Sequence, residues 1–540
     1  MRARAATAAS LALLLAAPAR GDGDGEVHGY ASLHLRLVDQ ANLPSPDLLF
    51  DPATRAFEVA SYLGPSPRES FGASFIAAGL EGSHLGGSLA WTLALDSGLL
   101  RLQRFPETVA VCTSTSPSGL DLVGRGTCAA PGLPGAMQRP LYFLVPSTAL
   151  GSRELTANGR PVGEEASDTL FVREAWAEAR LGRARFLSIR AGRQRIAVGD
   201  GFVHDDYSLG LSADADLGAI GPQLDLRLAA FWPTRGWPDQ AQLRSPMLAL
   251  RADWTPSLFE HVGVFAAWAH DETGWANQLL RAANAEAAAV RLQGSAPGTE
   301  AYRLASVVLA ALLSTPPAGK SDLVWTGLSG HLLAGDRHEL WWTGAAVFGQ
   351  VSALVPQGSG EPAYLRSIPV EGWLGRLRWR ASWTSAFTGG AFVVYQSGDL
   401  PPAERALVAL PQRYEGFLGV TPYVTDLNLF FNGGISESFA DRRATAPGVN
   451  GRGVLAPGLA VGWEPSVELS LEGRGAWLVA DEPGPYGGRV YGVEVDLNAS
   501  WSPWSWLALL AEADLLFPGD FFPSNATMRR FILGLNLSTP

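Results

Sequence analysis

Apolar and polar residues alternate with a period of two along most of this chain, and the alternation is clearest between residues 170 and 206. From Phe171 to Leu181, small or apolar residues take every second position, with charged residues and a tryptophan between them. After a turn at residues 182–184, the alternation resumes from Phe186 to Gln194. A period of two is that of a β-strand with two different faces, so this stretch predicts a hairpin.

The polar face of the predicted hairpin carries Glu174, Glu178, Arg180 and Arg190. A soluble β-sandwich normally keeps charges off its inner face, because a buried charge costs free energy unless it is paired. A barrel in a membrane has lipid outside and can hold water inside. The hairpin therefore favours a transmembrane β-barrel.

The same alternation predicts nineteen candidate strands, three before residue 101, six between residues 171 and 270 and ten after residue 320. Bacterial single-chain barrels have an even number of strands. We therefore expect an all-β fold, a transmembrane antiparallel barrel of about 18 strands (roughly 16 to 20), with one candidate wrongly assigned. The ten later candidates are Leu323–Leu332, Leu340–Phe348, Glu371–Trp383, Ala391–Gln396, Tyr423–Phe431, Val454–Gly462, Val467–Val479, Tyr491–Trp501, Leu507–Leu515 and Met528–Leu537.

Tryptophan recurs at the ends of the candidate strands. In a membrane barrel these positions form the aromatic girdles at the lipid headgroups, whereas in a soluble protein the same residues would fill a core. The girdle is favoured because the chain has 18 tryptophans. The residues concerned are Trp232, Trp254, Trp268, Trp383, Trp501 and Trp506.

The chain divides into a predicted signal peptide and one barrel domain. Residues 1–19 combine Arg2 and Arg4, an apolar core from Leu11 to Ala17 and the small-x-small site Ala17-Pro18-Ala19, which is the pattern of a secretory signal. No linker-like change in composition divides residues 20–540. We expect these residues to form one barrel in the outer membrane of a Gram-negative cell.

Two long segments interrupt the strand pattern. Residues 101–167 lack sustained alternation and contain the only cysteines, Cys112 and Cys128, for which a disulfide is expected in an exported chain. Residues 275–313 have apolar residues at helical spacing, which predicts a small helical insert in a loop. The insert either lies on the surface, which is the favoured interpretation, or folds into the lumen as a constriction.

The charge balance excludes one class of partner. The chain has 41 Lys and Arg against 52 Asp and Glu, a formal net charge of −11, so we expect no nucleic-acid partner. No run after the signal reaches the ~20 apolar residues of a spanning helix, a test that strands escape. The expected partners are outer-membrane lipid, the barrel assembly machinery and a polar solute; no cofactor is expected, and the oligomeric state stays open.

Strand parity assigns a set of charged and polar residues to the lumen. The densest positive run is residues 376–380, where three arginines share one face while Leu377 and Trp379 face lipid. Guanidinium groups in a ring suit a passing carboxylate or phosphate, although cross-strand pairing with acids would neutralise individual arginines. The predicted pore-lining or solute-binding residues are Arg180, Arg190, Gln194, Arg227, Arg251, Arg376, Arg378, Arg380, Glu174, Glu178, Asp225 and Asp253.

Two other function classes compete with a channel. A hydrolase in the barrel wall needs a hydroxyl nucleophile beside a histidine, and both Ser32 with His34 and Ser329 with His331 share a strand face. The sequence has no G-x-S-x-G or H-E-x-x-H motif, so we expect no enzyme, no catalytic residue and no metal site. An adhesin or binding barrel with a closed lumen would use the two long loops.

The predicted hairpin resembles the alginate export family of outer-membrane barrels, whose hairpin has the form R-E-A-x-V, then G-R-Q, then G-D. The matching residues are Arg173-Glu174-Ala175-Trp176-Ala177, Gly192-Arg193-Gln194 and Gly199-Asp200. Ala177 stands where that pattern has valine. The resemblance implies an 18-stranded channel for an anionic polymer or a related solute. We therefore predict passive passage or export of polar, anionic solutes such as polysaccharide, with a general or substrate-selective porin as the alternative.

Overall fold

In the computed structural model, the described residues make up most of the chain after residue 25. They are 26–42, 49–51, 56–58, 69–96, 100–101, 111–116, 119–125, 138–141, 171–182, 185–219, 223–233, 245–257, 259–272, 291, 295–296, 298–305, 307, 319–355, 364–407, 410–420, 426–430, 448, 451–484, 487–522 and 524–539. The predicted signal peptide and Cys128 lie outside them.

Eighteen antiparallel strands form one sheet that closes on itself, and the two-residue strand Leu100–Arg101 pairs with Glu69–His84 beside them. The strands are β1 Glu26–Ala41, β2 Glu69–His84, β3 Leu89–Asp96, β4 Phe171–Leu181, β5 Leu187–Val198, β6 His204–Asp216, β7 Leu224–Trp232, β8 Met247–Ser257, β9 Glu260–Asp271, β10 Ser321–Ala334, β11 His338–Val355, β12 Tyr364–Ser382, β13 Phe387–Gln396, β14 Val454–Ser466, β15 Leu469–Val479, β16 Val490–Trp504, β17 Leu507–Pro518 and β18 Met528–Ser538. The predicted fold class and strand number are confirmed.

The barrel closes because β1 pairs with both β2 and β18. At the seam with β18, Leu33 lies opposite Leu537 and Leu37 opposite Leu533. Among the described barrel strands, closure therefore leaves none at a free edge of the sheet, which is what a sheet in lipid requires.

The two ends of the barrel differ in the length of their connections. At one end the turns are short, for example residues 258–259, 335–337 and 467–468, and at the other end residues 97–170, 272–320 and 397–453 form long connections. In outer-membrane barrels the short turns face the periplasm and the long loops face outward. The C-terminal end of β18 lies at the short-turn end, which is therefore the periplasmic end.

The outer wall exposes large apolar side chains around the barrel. Leu37, Val264 and Leu459 are all more than 60 % exposed, and the six tryptophans predicted to lie in girdles are all exposed as well. Isolated soluble domains do not expose an apolar surface of this extent. Lipid is the solvent that suits it, and the protein is a barrel of the Gram-negative outer membrane.

One predicted strand is wrong. Tyr423–Phe431 was the extra candidate, and its described residues, 426–430, form bends inside the barrel instead of a strand in the wall. Its alternation is real, since Leu427 and Leu429 are buried while Asp426 and Asn428 make polar contacts. The segment thus has two different faces without belonging to the sheet.

The two segments that interrupt the strand pattern agree only in part with the predicted loop and the predicted helical insert. Within residues 101–167, Val111–Ser116 pairs with Gly119–Arg125 and with Gln138–Leu141 in a separate small sheet, which the sequence did not predict. Within residues 275–313, residues 300–305 are helical. No helix in the described part of the chain has the length and apolarity needed to cross a membrane.

Candidate functional site

A connection from the long-loop end folds into the barrel and narrows its lumen. We call residues 411–420 and 426–430, which belong to the connection between β13 and β14, the crossing segment. On one side it is held by backbone groups: Trp325 Nε1 donates to the Leu418 carbonyl (2.7 Å), and Val420 N donates to the Val203 carbonyl (2.7 Å). Phe417 and Leu418 are almost completely buried there.

The far part of the crossing segment is anchored on β16, β17 and β18. Asn428 N donates to Asp496 (3.0 Å), and Asn428 Nδ2 donates to Asp514 (2.7 Å). Leu429 N donates to Glu494 (2.7 Å). Because the near part contacts β10 and the far part contacts β16 to β18, the segment spans the lumen.

A buried guanidinium completes this anchor. Arg530 is 1 % exposed; it lies 2.8 Å from Glu512 and 2.9 Å from Asp514, and it also donates to the Asn428 carbonyl at 3.0 Å. A buried ion pair of this kind is costly to break by removing one partner. The anchor therefore ties the segment to the wall through charge as well as through backbone hydrogen bonds.

The crossing segment also meets the arginine run of β12. Arg376 lies 2.6 Å from Asp426 of the segment, which shows that the Arg376 side of β12 faces the lumen. Leu377 and Trp379, on the other face, are 45 % and 40 % exposed. Arg378 and Arg380 share the face of Arg376 and continue from it toward the periplasmic end.

Arg378 and Arg380 differ from Arg376 in their partners. Within the described residues, neither has a carboxylate within salt-bridge distance, and Arg378 lies over the Trp341 ring at 5.6 Å. Both line a cavity of about 270 Å³ whose wall also includes Thr388, Arg474 and the two acids Glu464 and Glu472. Arg474 itself is paired with Glu472 at 2.7 Å. The cavity thus has two guanidinium groups available to an anion.

The predicted arginines on β4 to β8 are all compensated by carboxylates. Glu178 lies 2.6 Å from Arg180 and 2.5 Å from Arg190. Arg227 pairs with Asp214. Arg251 lies 2.6 Å from Asp253 and 2.7 Å from Asp200.

The remaining predicted site residues make local contacts or face one another. Glu174 accepts a hydrogen bond from Trp176 Nε1 at 3.1 Å, and Gln194, which is 1 % exposed, accepts one from Ser212 at 3.0 Å. Asp225 lies between Asp216 and Asp253 on the neighbouring strands. The proposed Cys112–Cys128 disulfide stays a prediction, because Cys128 lies outside the described residues.

The turn between β5 and β6 also folds inward and presents Asp200. Gly199, Asp200 and Gly201 have φ values of 61°, 51° and 88°, a conformation that glycine adopts without steric cost. A Cβ at Gly199 would lie 2.9 Å from the Phe265 ring, so no larger residue fits. Asp200 accepts a hydrogen bond from Thr343 (2.7 Å).

The surroundings of Asp200 favour its ionised form. Burial acts to raise the pKa of this carboxyl, but the hydrogen bond from Thr343 and the charge of Arg251 outweigh burial and hold its pKa below the ordinary value. Asp200 is therefore a fixed negative charge between β8 and β11.

Several residues of the lumen were missed in the sequence analysis. Asp426 and Asn428 were assigned to a strand, and Asp200 was noted only as part of a motif. The sequence does contain a signal for Asp200, the Gly-Asp-Gly triplet, which is typical of a turn with positive φ. For Asp426 and Asn428 the local sequence contains no such signal.

The residues that carry the family resemblance have structural roles in the hairpin. Gly192 has φ 124°, and a Cβ there would lie 2.2 Å from the Ala175 carbonyl. Arg193 Nε donates to the Arg173 carbonyl at 3.1 Å. These contacts hold β4 against β5, so the residues of the resemblance stabilise the barrel wall.

Comparison with known proteins finds similar structures but no sequence relatives. No family model matches the chain, and no curated protein matches it. The solved structures similar to it include a BenF-like porin from Pseudomonas fluorescens Pf-5 (10 % identity, TM-score 0.47, 95 % of this chain and 98 % of that one). OccAB1 of Acinetobacter baumannii has 8 % identity and a TM-score of 0.47 over 95 % and 96 % of the two chains. OpdL of Pseudomonas aeruginosa has 11 % identity and a TM-score of 0.44 over 95 % and 98 %.

Among the described residues, no group of three or more His, Cys, Asp or Glu side chains is placed to hold a metal ion.

Proposed function

We propose that this protein is a selective porin for small polar solutes that carry a negative charge. The observation that carries the proposal is the position of Arg378 and Arg380, which line a lumenal cavity on the periplasmic side of the Arg376–Asp426 ion pair. Guanidinium groups bind carboxylate and phosphate through paired hydrogen bonds, and charged side chains that line a pore set its ion selectivity.

The crossing segment supports a small solute over a polymer. It spans the lumen and is anchored at both ends, through Trp325 and Val203 on one side and through Asn428 on the other. An extended polysaccharide would require this segment to leave, at the cost of its buried hydrogen bonds. We therefore favour a substrate-selective porin over the export of an anionic polymer that the hairpin resemblance implied.

The proposal is tested by uptake into proteoliposomes. Succinate is expected to enter faster than erythritol, an uncharged polyol of similar size, and an oligomer of uronic acids is expected to stay outside. The double variant Arg378→Gln/Arg380→Gln should lose the preference for succinate. Arg337→Gln, in the exposed turn between β10 and β11, is the matched control and should keep it.

Two results would contradict the proposal. Equal entry of succinate and erythritol into wild-type vesicles would remove the anion preference. Entry of the uronic acid oligomer at the rate of succinate would favour polymer export as the function.

A further inference from the structure

A polar cluster lies at the barrel seam, where β1 meets β18, and the channel proposal does not use it. Ser32 and His34 lie on one face of β1, and Asn536 is the partner of His34 on β18. His34 Nε2 is 3.1 Å from Ser32 Oγ, and His34 Nδ1 is 3.0 Å from Asn536 Oδ1. This face is the lumenal one, because the alternate positions of β1 carry the exposed Leu37 of the outer wall.

The neighbour Arg36 determines which nitrogen of His34 carries the proton. Arg36 Nη1 donates to Asn536 Oδ1 at 2.6 Å. A guanidinium has only donors, so the atom of Asn536 that it meets must be the amide oxygen. That oxygen can only accept, so Nδ1 of His34 must be protonated. Nε2 is then unprotonated and accepts the hydrogen of the Ser32 hydroxyl.

This order of groups is that of an activated nucleophile. In a serine hydrolase the histidine takes the hydroxyl proton on one ring nitrogen, and a polar group on the other nitrogen holds the tautomer. Ser32, His34 and Asn536 provide the nucleophile, the base and the orienting group at hydrogen-bond distances. Ser32 and His34 are only partly buried, so a solute in the lumen can reach them.

Two other serine and histidine pairs of the barrel lack this arrangement. Ser329 and His331 share a face of β10, but Ser329 is 1 % exposed and His331 stacks on Trp341 at 4.7 Å. His204 is 3.0 Å from Ser208, but it is fully buried and its Nδ1 has no hydrogen-bond partner among the described residues. The seam pair differs from both because it combines access with an oriented histidine.

We propose that Ser32, His34 and Asn536 form a hydrolytic site on the lumenal wall that cleaves small soluble esters. Ser32 Oγ attacks the ester carbonyl carbon and transfers its proton to His34 Nε2. The carbon–oxygen bond to the alcohol then breaks, and the alcohol leaves with that proton. Water, with His34 again taking and returning a proton, cleaves the acyl–Ser32 bond and releases the acid.

The surroundings of Ser32 on β1 include Tyr30 and, through it, Arg173. Arg173 Nη2 donates to Tyr30 Oη at 3.1 Å, and Tyr30 lies two residues before Ser32 on the same face of β1. The Arg173 side chain is 22 % exposed. Its Nε also lies 3.5 Å from Glu174 Oε1, so part of its positive charge is compensated.

The test is covalent labelling of the detergent-solubilised full-length barrel with a fluorophosphonate probe. Wild type is expected to incorporate the probe at Ser32 and to hydrolyse para-nitrophenyl succinate, and Ser32→Ala should do neither. His34→Ala should slow labelling at least about a hundredfold, the usual contribution of a general base. The labelling rate of wild type should rise with pH as one histidine titrates, a dependence that His34→Ala lacks. Ser329→Ala is the control and should label as wild type does.

Asn536 and Arg36 are positioning residues, and a pair of variants separates that role from a structural one. Asn536→Asp keeps the acceptor oxygen and should retain labelling, whereas Asn536→Leu removes it and should lose labelling, although both barrels remain folded by heat-modifiable migration. A folded wild-type barrel that takes up no probe, or a Ser32→Ala barrel that is labelled as fast as wild type, would overturn the proposal. The site needs no transport for this assay, so its failure is distinct from failure of the porin proposal.

Discussion

The lumen has two charged walls that differ in how their arginines are compensated. On β4 to β8, Arg180, Arg190, Arg227 and Arg251 all lie beside carboxylates of the same wall. On β12, Arg376 is paired with the crossing segment, and Arg378 and Arg380 have no carboxylate within salt-bridge distance among the described residues. The same residue type therefore stiffens one wall and remains available to a solute on the other.

The difference follows only in part from what lies opposite each arginine in the sheet. Arg190 is the cross-strand partner of Glu178, and Arg227 of Asp214. Arg378 lies opposite Trp341 and Phe392, and Arg380 opposite Glu339 and Gly390. Cross-strand neighbours are the closest side chains on a face, so register pairs Arg190 and Arg227 with acids. Arg380 makes no ion pair with Glu339, although the two residues lie opposite each other.

The largest effect is expected from removal of the crossing segment. Replacing residues 411–430 by a short Gly-Ser linker removes the crossing segment and should raise single-channel conductance several-fold while weakening ion selectivity. Planar-bilayer recording measures both. An unchanged conductance in a folded variant would show that the segment does not limit the pore.

The comparison of the two walls is tested next by removing charges from each. Arg378→Gln/Arg380→Gln should shift the reversal potential in a salt gradient toward cations, because the lumen loses two uncompensated positive charges. Arg227→Gln/Asp214→Asn removes a compensated pair and should leave the reversal potential unchanged. Equal shifts in the two double variants would contradict the distinction between the walls.

The ion pair between Arg376 of β12 and Asp426 of the crossing segment should control how many arginines of β12 attract an anion. Asp426→Asn frees Arg376 from its partner and should increase anion selectivity, whereas Arg376→Gln should decrease it. Reversal potentials of both variants, recorded in the same salt gradient, measure these changes in selectivity. Shifts in the same direction would show that the pair acts only by holding the segment in place.

A smaller effect is expected at the anchor on β16 to β18. Asn428→Ala removes the side-chain hydrogen bond to Asp514 and should destabilise the segment by about 1–3 kcal/mol, the usual cost of a buried polar group left without its partner. The expected readout is more frequent current fluctuation with an unchanged barrel unfolding temperature. Steady current would indicate that the backbone contacts of the segment suffice.

The smallest effect is expected at Asp200 and depends on pH. Its pKa is depressed in the folded protein, so the ionised carboxyl stabilises the fold above its ordinary pKa of about 3.9, and this contribution is lost as pH falls through the lower folded value. Asp200→Asn should lower the unfolding temperature at neutral pH, and the difference from wild type should shrink under acid conditions. A difference independent of pH would exclude an electrostatic origin.

Much of the fold was predictable because its cause is local. A strand with lipid on one side and water on the other must alternate, and residues 376–380 therefore show which side chains share a face. The assignment of individual arginines was less certain, since alternation places Arg190 and Arg380 on the lumenal face alike. Both arginines lie opposite an acid, and only the tertiary structure shows that Arg190 pairs with Glu178 at 2.5 Å while Arg380 makes no ion pair with Glu339.

By itself, the sequence determined the strand architecture, the outer apolar surface and the charged character of the lumen, because each depends on neighbours one or two residues apart. The tertiary structure alone decided that residues 426–430 lie inside the barrel, since their alternation is that of a wall strand. Their partners, Asp496 and the buried Arg530, lie 68 and 102 residues from Asn428 along the chain. Contacts over such separations leave no mark in a local pattern, and the same is true of the seam that brings Asn536 to His34.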